Sequence, residues 1–538
     1  IMYPYPSIAF LFISFSLANA DYADIINEYK PATGPWYIQT QGEPWPLPQV
    51  YESDPYEVHV VDRTYFHFTT NHTECSILMK AMSRYQLLIF GNDNPPNSER
   101  TGTLNAGGKH QIQTVEIKLL DEADCNDFPG SRMNETYVLN TTLPKHPVLE
   151  ANQVWGALRG LETLSQLIFE ETGTLKLRQV YIHDWPRFSF RGLMLDTSRH
   201  FISVDKLKET LNIMEHNKFN VFHWHITDDQ SFPYQSVVFP DFSAKSSFHP
   251  VKAIYRISQI RDIIYHARDR GIRVIPEFDT PGHTSSWVKA MPEIGVNCSN
   301  DVPPGEVNGL LNPFIKMTYK VVGELFSEVS RVFPDQYFHL GGDEVSVDCW
   351  TDNDDLEEFI TGQQPEDFES QYIKRVLSMV RAAPINKTAM LWQDVMENSK
   401  DIGKGPGIIQ IWKGSSWSYF DVELAVQKGF DIIYSSCWYL NYISYGGDWA
   451  NYYVCDPEKE LDFEPILGGE TCLWGEFVDD VNLTPRLWPR AAAVAERLWS
   501  NKNITSVTEA ARRISEHRCR LVKRGYAAQP VTGADYCF

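Results

Sequence analysis

The sequence predicts an α/β protein, a (β/α)8 TIM barrel preceded by a smaller α+β domain. After Pro186, short apolar runs alternate with helix-periodic segments, the signature of βα units and a parallel sheet. Eight such runs occur, the number that closes a barrel. Before Pro186, strand-like runs are mixed with one long amphipathic stretch, which suits strands covered by a helix. A chain of 538 residues has room for both units. Hydrophobic residues at 43% and charged residues at 22% exclude a disordered, collagen-like or coiled-coil chain.

The first twenty residues carry the apolar run Ile8 to Leu17 and then Ala18, Asn19 and Ala20, a small-x-small pattern. They read as a secretory signal peptide over 1–20, although no Lys or Arg precedes the run. The run falls short of the ~20 residues that span a bilayer. No later segment is apolar enough to do so, and a soluble mature product is expected. Residues 21–186 form the expected α+β domain, with strands at Thr114 to Leu120, Thr136 to Thr142 and Leu175 to Ile182. Its helix is expected from Leu149 to Phe169, where Val154, Leu158, Leu161, Leu164 and Ile168 fall at helical spacing. The Asn- and Pro-rich stretch Gly91 to Asn97 reads as a surface excursion.

Residues 187–538 form the expected barrel. Its strands are read at Phe190 to Leu195, Asn220 to His225, Arg273 to Glu277, Tyr337 to Leu340, Ala389 to Trp392, Ile408 to Trp412, Asp431 to Ser435 and Glu470 to Trp474. Helical segments such as Asp205 to His216, with Leu207, Leu211 and Met214 on one stripe, fall between most of them. The connection from the fifth strand to the sixth shows no clear helix.

A formal charge of −22 repels polyanions, so nucleic acid is excluded as a partner and anionic membrane surfaces are disfavoured. Nine cysteines suit an exported chain. They bunch locally, 519 with 537 and 437 with 455. A Cys437–Cys455 bridge is expected from proximity, because it would restrain the Trp438 to Tyr453 loop. Cys472, in an apolar segment, is expected to be the unpaired thiol. Glycosylation sequons begin at Asn71, Asn134, Asn140, Asn297, Asn386, Asn482 and Asn503.

An active site in such a barrel forms where the strands end. Asp196 and Arg199 follow the first strand, Asp228 and Asp229 the second, His283 the third, and Asp343 and Glu344 the fourth. The fifth and sixth end on Trp392 and Trp412; the seventh runs into Trp438, Tyr439 and Asn441, the eighth into Trp474 and Glu476. Gly341 and Gly342 permit a tight turn, so that Asp343 and Glu344 share a pocket if the strand ends there. Aromatic faces pack on sugar rings while carboxylates and Arg bind hydroxyls, which points to carbohydrate. Two carboxylates beside a sugar point to glycoside hydrolysis. Their like-charge conflict is expected to lift one pKa, and a glutamic acid serving as general acid near neutral pH has to rise toward ~6. His283 and Asp228 form a candidate relay for its proton.

The strings RGLMLDTSRHF, FHWHITDDQSFPYQS, IPEFDTPGHTSSW, HLGGDEV, LWQDV, WYLNYISYG, CLWGEFVD and LTPRLWPRAAAVAERLW resemble those of the beta-N-acetylhexosaminidases of glycoside hydrolase family 20, in particular the animal lysosomal and secreted type. The resemblance runs in order from about residue 180 to the end. It implies substrate-assisted retaining catalysis, with no cofactor and no metal. Asp343 would orient the 2-acetamido group and Glu344 would be general acid and then base, with His283 and Asp228 as the supporting pair. Arg199 and Glu476 would bind ring hydroxyls. Trp392, Trp412 and Trp474 would wall the pocket, and Tyr439 would bind the acetamido carbonyl. Asn441 lies where members vary. The resemblance also implies the pairs Cys75–Cys125, Cys298–Cys349 and Cys519–Cys537, and a homodimer in the secretory pathway, lysosomal or secreted.

Two other readings remain open in the sequence. His223 and His225 form an HxH on one strand face, as in zinc-dependent barrel hydrolases. A silent lectin that keeps only the sugar pocket is the other.

Overall fold

The computed structural model describes residues 39–91, 111–122, 124–142, 147–298, 307–353, 356–362, 364–399, 407–414, 419–442, 444, 447–458, 466–531 and 536–537. The expected signal peptide and residues 92–97 of the expected excursion lie outside them.

The N-terminal unit is a mixed sheet of eight strands, from Val50–Val61 to Thr174–Asp184, which pair antiparallel to each other. Strands at Thr114–Leu119, Tyr137–Asn140 and Thr174–Asp184 match the expected ones within a few residues. Val50–Val61 and the helix Ser76–Phe90 were not legible as elements. The expected helix from Leu149 to Phe169 is corrected at both ends. Val148–Ala151 is a strand paired with Tyr137–Asn140, the helix spans Val154–Leu167, and Ile168–Glu171 is again a strand. Ile168 continues the apolar period of the helix and Leu149 is an apolar residue just ahead of it, so sheet pairing overrides a pattern that spacing cannot resolve.

Every residue of the helix Val154–Leu167 is buried. Its apolar stripe lies on the sheet, and its other side meets the barrel. A Cβ on Gly156 would sit 2.2 Å from the Thr136 carbonyl oxygen, so only glycine lets the helix come this close. From the same helix Arg159 pairs with Glu135 at 2.8 Å and donates to the carbonyls of Arg270 and Gly271.

The barrel is closed and wholly parallel, with strands Phe190–Asp196, Val221–Thr227, Arg273–Phe278, Tyr337–His339, Thr388–Trp392, Ile408–Ile411, Asp431–Tyr434 and Ile466–Leu473. The last pairs with the first, Gly468 opposite Phe190. The helix Val204–His216 buries Leu207, Leu211 and Met214, and Ser203 caps it by accepting from the Lys206 amide. The fifth connection does hold a helix, Gln393–Asn398, too short to show a periodic stripe.

Phe190, Val221, Ile275, Met390, Ile408 and Ile433 fill the barrel near the strand starts. Above them His223, Glu277, His339, Gln410 and Glu470 are fully buried. The candidate site opens above this polar layer, at the C-terminal strand ends. Cys75–Cys125, Cys298–Cys349, Cys437–Cys455 and Cys519–Cys537 are bonded, and Cys472 is free and buried. Among the described residues no helix is long and apolar enough to cross a membrane.

The two units are joined by a buried charge. The Lys218 ammonium lies 2.8 Å from Asp184 and 4.4 Å from the Trp499 ring, and the Trp499 indole donates to Asp184 at 3.0 Å. Removing one partner of such a pair leaves the other charge buried and unmet. Lys218→Met is expected to destabilise the protein by about 3–5 kcal/mol; an unchanged thermal midpoint would refute the account.

Candidate active site

The fourth strand stops at His339, and the chain turns through Gly341 and Gly342, both at positive φ, into Asp343 and Glu344. A Cβ on Gly341 would lie 1.7 Å from Asp279 Oδ1, and the Gly342 amide donates to that oxygen at 2.8 Å. The turn is therefore seated on Asp279. Glu344 has φ 50 and His283 φ 54, conformations that non-glycine residues hold only when the surroundings enforce them. Because the strand has ended, both carboxylates reach the same side, as the sequence required. Asp343 is buried, whereas the Glu344 side chain is 61% exposed.

His283 stands between them. Its Nε2 lies 3.6 Å from Glu344 Oε2 and 3.8 Å from Asp343 Oδ2, and its Nδ1 lies 3.2 Å from Asp228 Oδ1. Asp228 also meets Arg199 Nη2 at 2.9 Å and His225 Nε2 at 2.8 Å. Arg199 is held by Asp196 at 2.9 Å and lies 5.0 Å from the Trp474 ring centroid.

The electrostatics divide the carboxylates in a way that adjacency alone does not predict. Burial pushes Asp343 up to about 6, against the pull of His283. Burial and the neighbouring Asp343 hold Asp279 well above the usual carboxylate range. Burial alone would depress His283, but the charges of Asp228, Asp279 and Asp343 outweigh it and raise the imidazole well above its ordinary value. The approach of the His283 imidazole, 3.6 Å away, outweighs partial burial and lowers Glu344. The expected rise thus falls on Asp343, the buried member, and not on Glu344, which keeps water around it.

Trp412 and Tyr439 stack at 6.0 Å, and Tyr439 and Trp474 approach at 6.4 Å. Trp392 lies 5.8 Å from Trp474 and is fully covered, so of the three indoles only Trp412 and Trp474 offer surface to a ligand. Asn441, Tyr442, Trp474 and Glu476 line a groove of about 330 Å3, with Glu476 exposed. Asn441 Oδ1 is a buried acceptor that meets no donor among the described residues. Such an atom at the pocket suits a ligand that brings a donor.

The structure gathers all eleven expected site residues at this end of the barrel. It removes two from the wider set: Trp438 is buried, its indole donating to the Tyr452 carbonyl, and Asp229 accepts from the Ser285 amide. Three supporting carboxylates were missed. Asp279 seats the turn, Glu277 accepts from the Trp392 indole at 2.7 Å, and Asp394 accepts from the Trp412 indole at 2.8 Å and from the Glu344 amide at 3.3 Å. Their signal lay inside the strings EFDTPGH and LWQDV, just before the cis-prolyl turn at 280–281 and just past Trp392.

His223, Glu277 and His339 also have metal-ligand spacing. His223 lies 3.0 Å from Glu277 and 2.8 Å from Glu470, and burial is outweighed by these two carboxylates, which raise it to about 9. Each histidine of the HxH thus lies between two carboxylates, His223 between Glu277 and Glu470 and His225 between Glu277 and Asp228.

A carboxyl whose folded pKa exceeds its unfolded one binds more protons when folded, so its contribution to stability falls as pH rises between the two values. Asp343 is such a group, over about pH 4 to 6. The melting temperature of Asp343→Asn is expected to rise relative to wild type across that window and to run parallel above it; parallel curves throughout would contradict the burial argument.

The profile of the glycosyl hydrolase family 20 catalytic domain matches residues 188–502, and that of a beta-acetyl hexosaminidase-like domain matches 44–167. Beta-hexosaminidase subunit beta of Mus musculus is 42% identical over 510 residues, covering 92% of each chain. Its Homo sapiens counterpart is 42% identical over 515 residues, covering 92% of this chain and 89% of the other. Among solved structures, the Flavobacterium johnsoniae chitobiase superposes with a TM-score of 0.76 at 30% identity, covering 90% of this chain and 74% of that one. A Vibrio harveyi exo beta-N-acetylglucosaminidase in complex with N-acetylglucosamine shares the fold, with a TM-score of 0.77 at 21% identity over 93% of this chain and 80% of that one. A match that spans most of the barrel, with relatives alike along almost their whole length, places the chain in glycosyl hydrolase family 20 as a glycoside hydrolase.

Proposed function

We propose that this enzyme removes terminal non-reducing β-linked N-acetylglucosamine, and N-acetylgalactosamine, from glycoconjugates or chitin oligomers. The observation that carries this reading is a buried Asp343 beside a solvated Glu344, bridged by His283 under an aromatic wall. The activity named for the Vibrio harveyi protein and the names of the mammalian relatives support it.

In this mechanism the acetamido oxygen of the substrate attacks the anomeric carbon, and no side chain forms a bond to the sugar. Asp343 orients the acetamido nitrogen and offsets the positive charge of the oxazolinium-like intermediate. Tyr439 donates to the acetamido carbonyl. Glu344 protonates the leaving oxygen and then takes a proton from the attacking water, so that the anomeric configuration is retained. A sugar lying over Glu344 would strip its water, and desolvation raises a carboxyl. The lowering by His283, already opposed by partial burial in the free protein, is then opposed more strongly. Arg199 and Glu476 bind hydroxyls, Trp412 and Trp474 pack on the ring, Trp392 backs them, and Asn441 supplies an acceptor at the rim. His283 and Asp228 support the acid.

The same reading places residues 1–20 as a removed leader, 21–186 as the N-terminal domain and 187–538 as the catalytic barrel. The break between the sheet, which ends at Asp184, and the first barrel strand, which starts at Phe190, supports that division. Four disulfides and the sequons support the secretory pathway, with a lysosomal or extracellular end point. Asn71, Asn297, Asn386 and Asn503 are exposed and suit glycan attachment, while Asn134, Asn140 and Asn482 are partly buried. A homodimer is proposed because the mammalian relatives are named as subunits.

Glu344→Gln is expected to lower hydrolysis of an aryl N-acetyl-β-glucosaminide by ~10²–10⁴-fold, with the fold intact. Wild-type rates would eliminate the acid assignment. Asp343→Asn is expected to lower kcat with KM little changed, and a normal kcat would remove it from the mechanism.

A further inference from the structure

From the candidate acid downward, imidazole and carboxylate alternate into the middle of the barrel. Glu344 faces His283 at 3.6 Å and His283 faces Asp228 at 3.2 Å. Asp228 accepts from His225 Nε2 at 2.8 Å, His225 Nδ1 lies 2.7 Å from Glu277, Glu277 lies 3.0 Å from His223, and His223 Nδ1 lies 2.8 Å from Glu470. From His225 to Glu470 every member is fully buried. The other Glu277 oxygen accepts from the Trp392 indole at 2.7 Å and lies 3.1 Å from His339 Nδ1.

Glu277 thus touches both halves of the pocket, the proton side through His225 and the aromatic side through Trp392. A neutral histidine donates from one nitrogen only, and which one is set by its neighbours. A carboxylate at His225 Nδ1 requires a proton there, and Asp228 requires one at Nε2, so His225 is held as a cation. That cation fixes one oxygen of Asp228 and leaves the other for His283 Nδ1. The Nε2 of His283 is thereby turned toward Glu344 and Asp343. The chain works by orientation and charge balance, as second-layer carboxylates do for metal-bound histidines, and no proton has to travel along it.

We infer that Glu277 is a positioning residue for acid–base chemistry, acting on Glu344 through His225, Asp228 and His283. This rests on Glu344 being the general acid, and the experiment separates the two ideas. Two substrates are compared: an aryl N-acetyl-β-glucosaminide whose phenol leaves poorly without a proton, and its dinitrophenyl counterpart, which leaves unaided.

Glu344→Gln should lose kcat/KM, which reports the step that expels the phenol, on the first substrate and keep most of it on the second; without that split the acid assignment itself fails. Glu277→Gln keeps an acceptor for the Trp392 indole but no longer demands a proton on His225 Nδ1. It is expected to lower kcat/KM on the phenol substrate at least ~10-fold while changing kcat/KM on the dinitrophenyl substrate less than ~3-fold. Equal loss on both would mean that Glu277 serves only the wall, and no loss on either would mean that it serves neither; both overturn the inference. In an Asp228→Asn background the Glu277→Gln effect should shrink below ~3-fold, and full additivity would break the proposed path. His225→Asn cuts the same link from the other side. Should Glu277→Gln fail to fold, the same split is required of His225→Asn, and equal loss on both substrates there overturns the inference.

Discussion

A closed barrel gives its interior no path to water, so any charge placed inside has to be met by another. Here the meeting point is Glu277, buried among three imidazoles and an indole. Most barrels fill that depth with branched apolar side chains. This one does so only in the layer nearest the strand starts and then turns polar for a full layer beneath the pocket. The floor is consequently rigid in direction as well as in volume, because His223 and His225 are each held between two carboxylates. The functional end of the molecule is built on that lattice.

The pocket above it uses burial to give two neighbours in sequence different characters. Asp343 and Glu344 differ little in chemistry, yet one is enclosed and pushed up to about 6 while the other stays solvated and is drawn down by His283. Left-handed backbone at both Glu344 and His283 is part of that arrangement, since it aims the two side chains at each other. The strain is sustained by the Gly341–Gly342 turn, locked to Asp279, and by Asp394 beneath the Glu344 amide.

Much of this was legible in the residues themselves. All eight barrel strands could be read because a parallel strand buried on both faces is a short apolar run between turn signals. The strand-end tally led to Arg199, Asp228, His283, Asp343 and Glu344 because barrel chemistry gathers at strand ends. Hidden from it was the direction of the pKa split, which depends on how deeply each carboxylate sits, a property of the folded pocket and not of adjacency. Glu277 and Asp279 escaped notice because they lie in a strand and at its end, where a lone acidic residue looks the same whether it is a cap, a rim group or a hub. Asp229 and Trp438 show the converse, since a helix-start partner and a core indole carry the same letters as site residues. In the N-terminal unit the helix Val154–Leu167 runs directly between two strands with matching apolar spacing, and only their pairing reveals the joints.

That same helix, enclosed along its whole length by the sheet and by the barrel, leaves the enzyme with one interior shared between two folds. On its barrel side Arg159 meets the Arg270 and Gly271 carbonyls, and Glu162 meets His216 and Arg524. A shortened, barrel-only catalyst would begin with those charges and carbonyls unmet, and the N-terminal domain is therefore an ingredient of the catalytic one instead of an accessory to it.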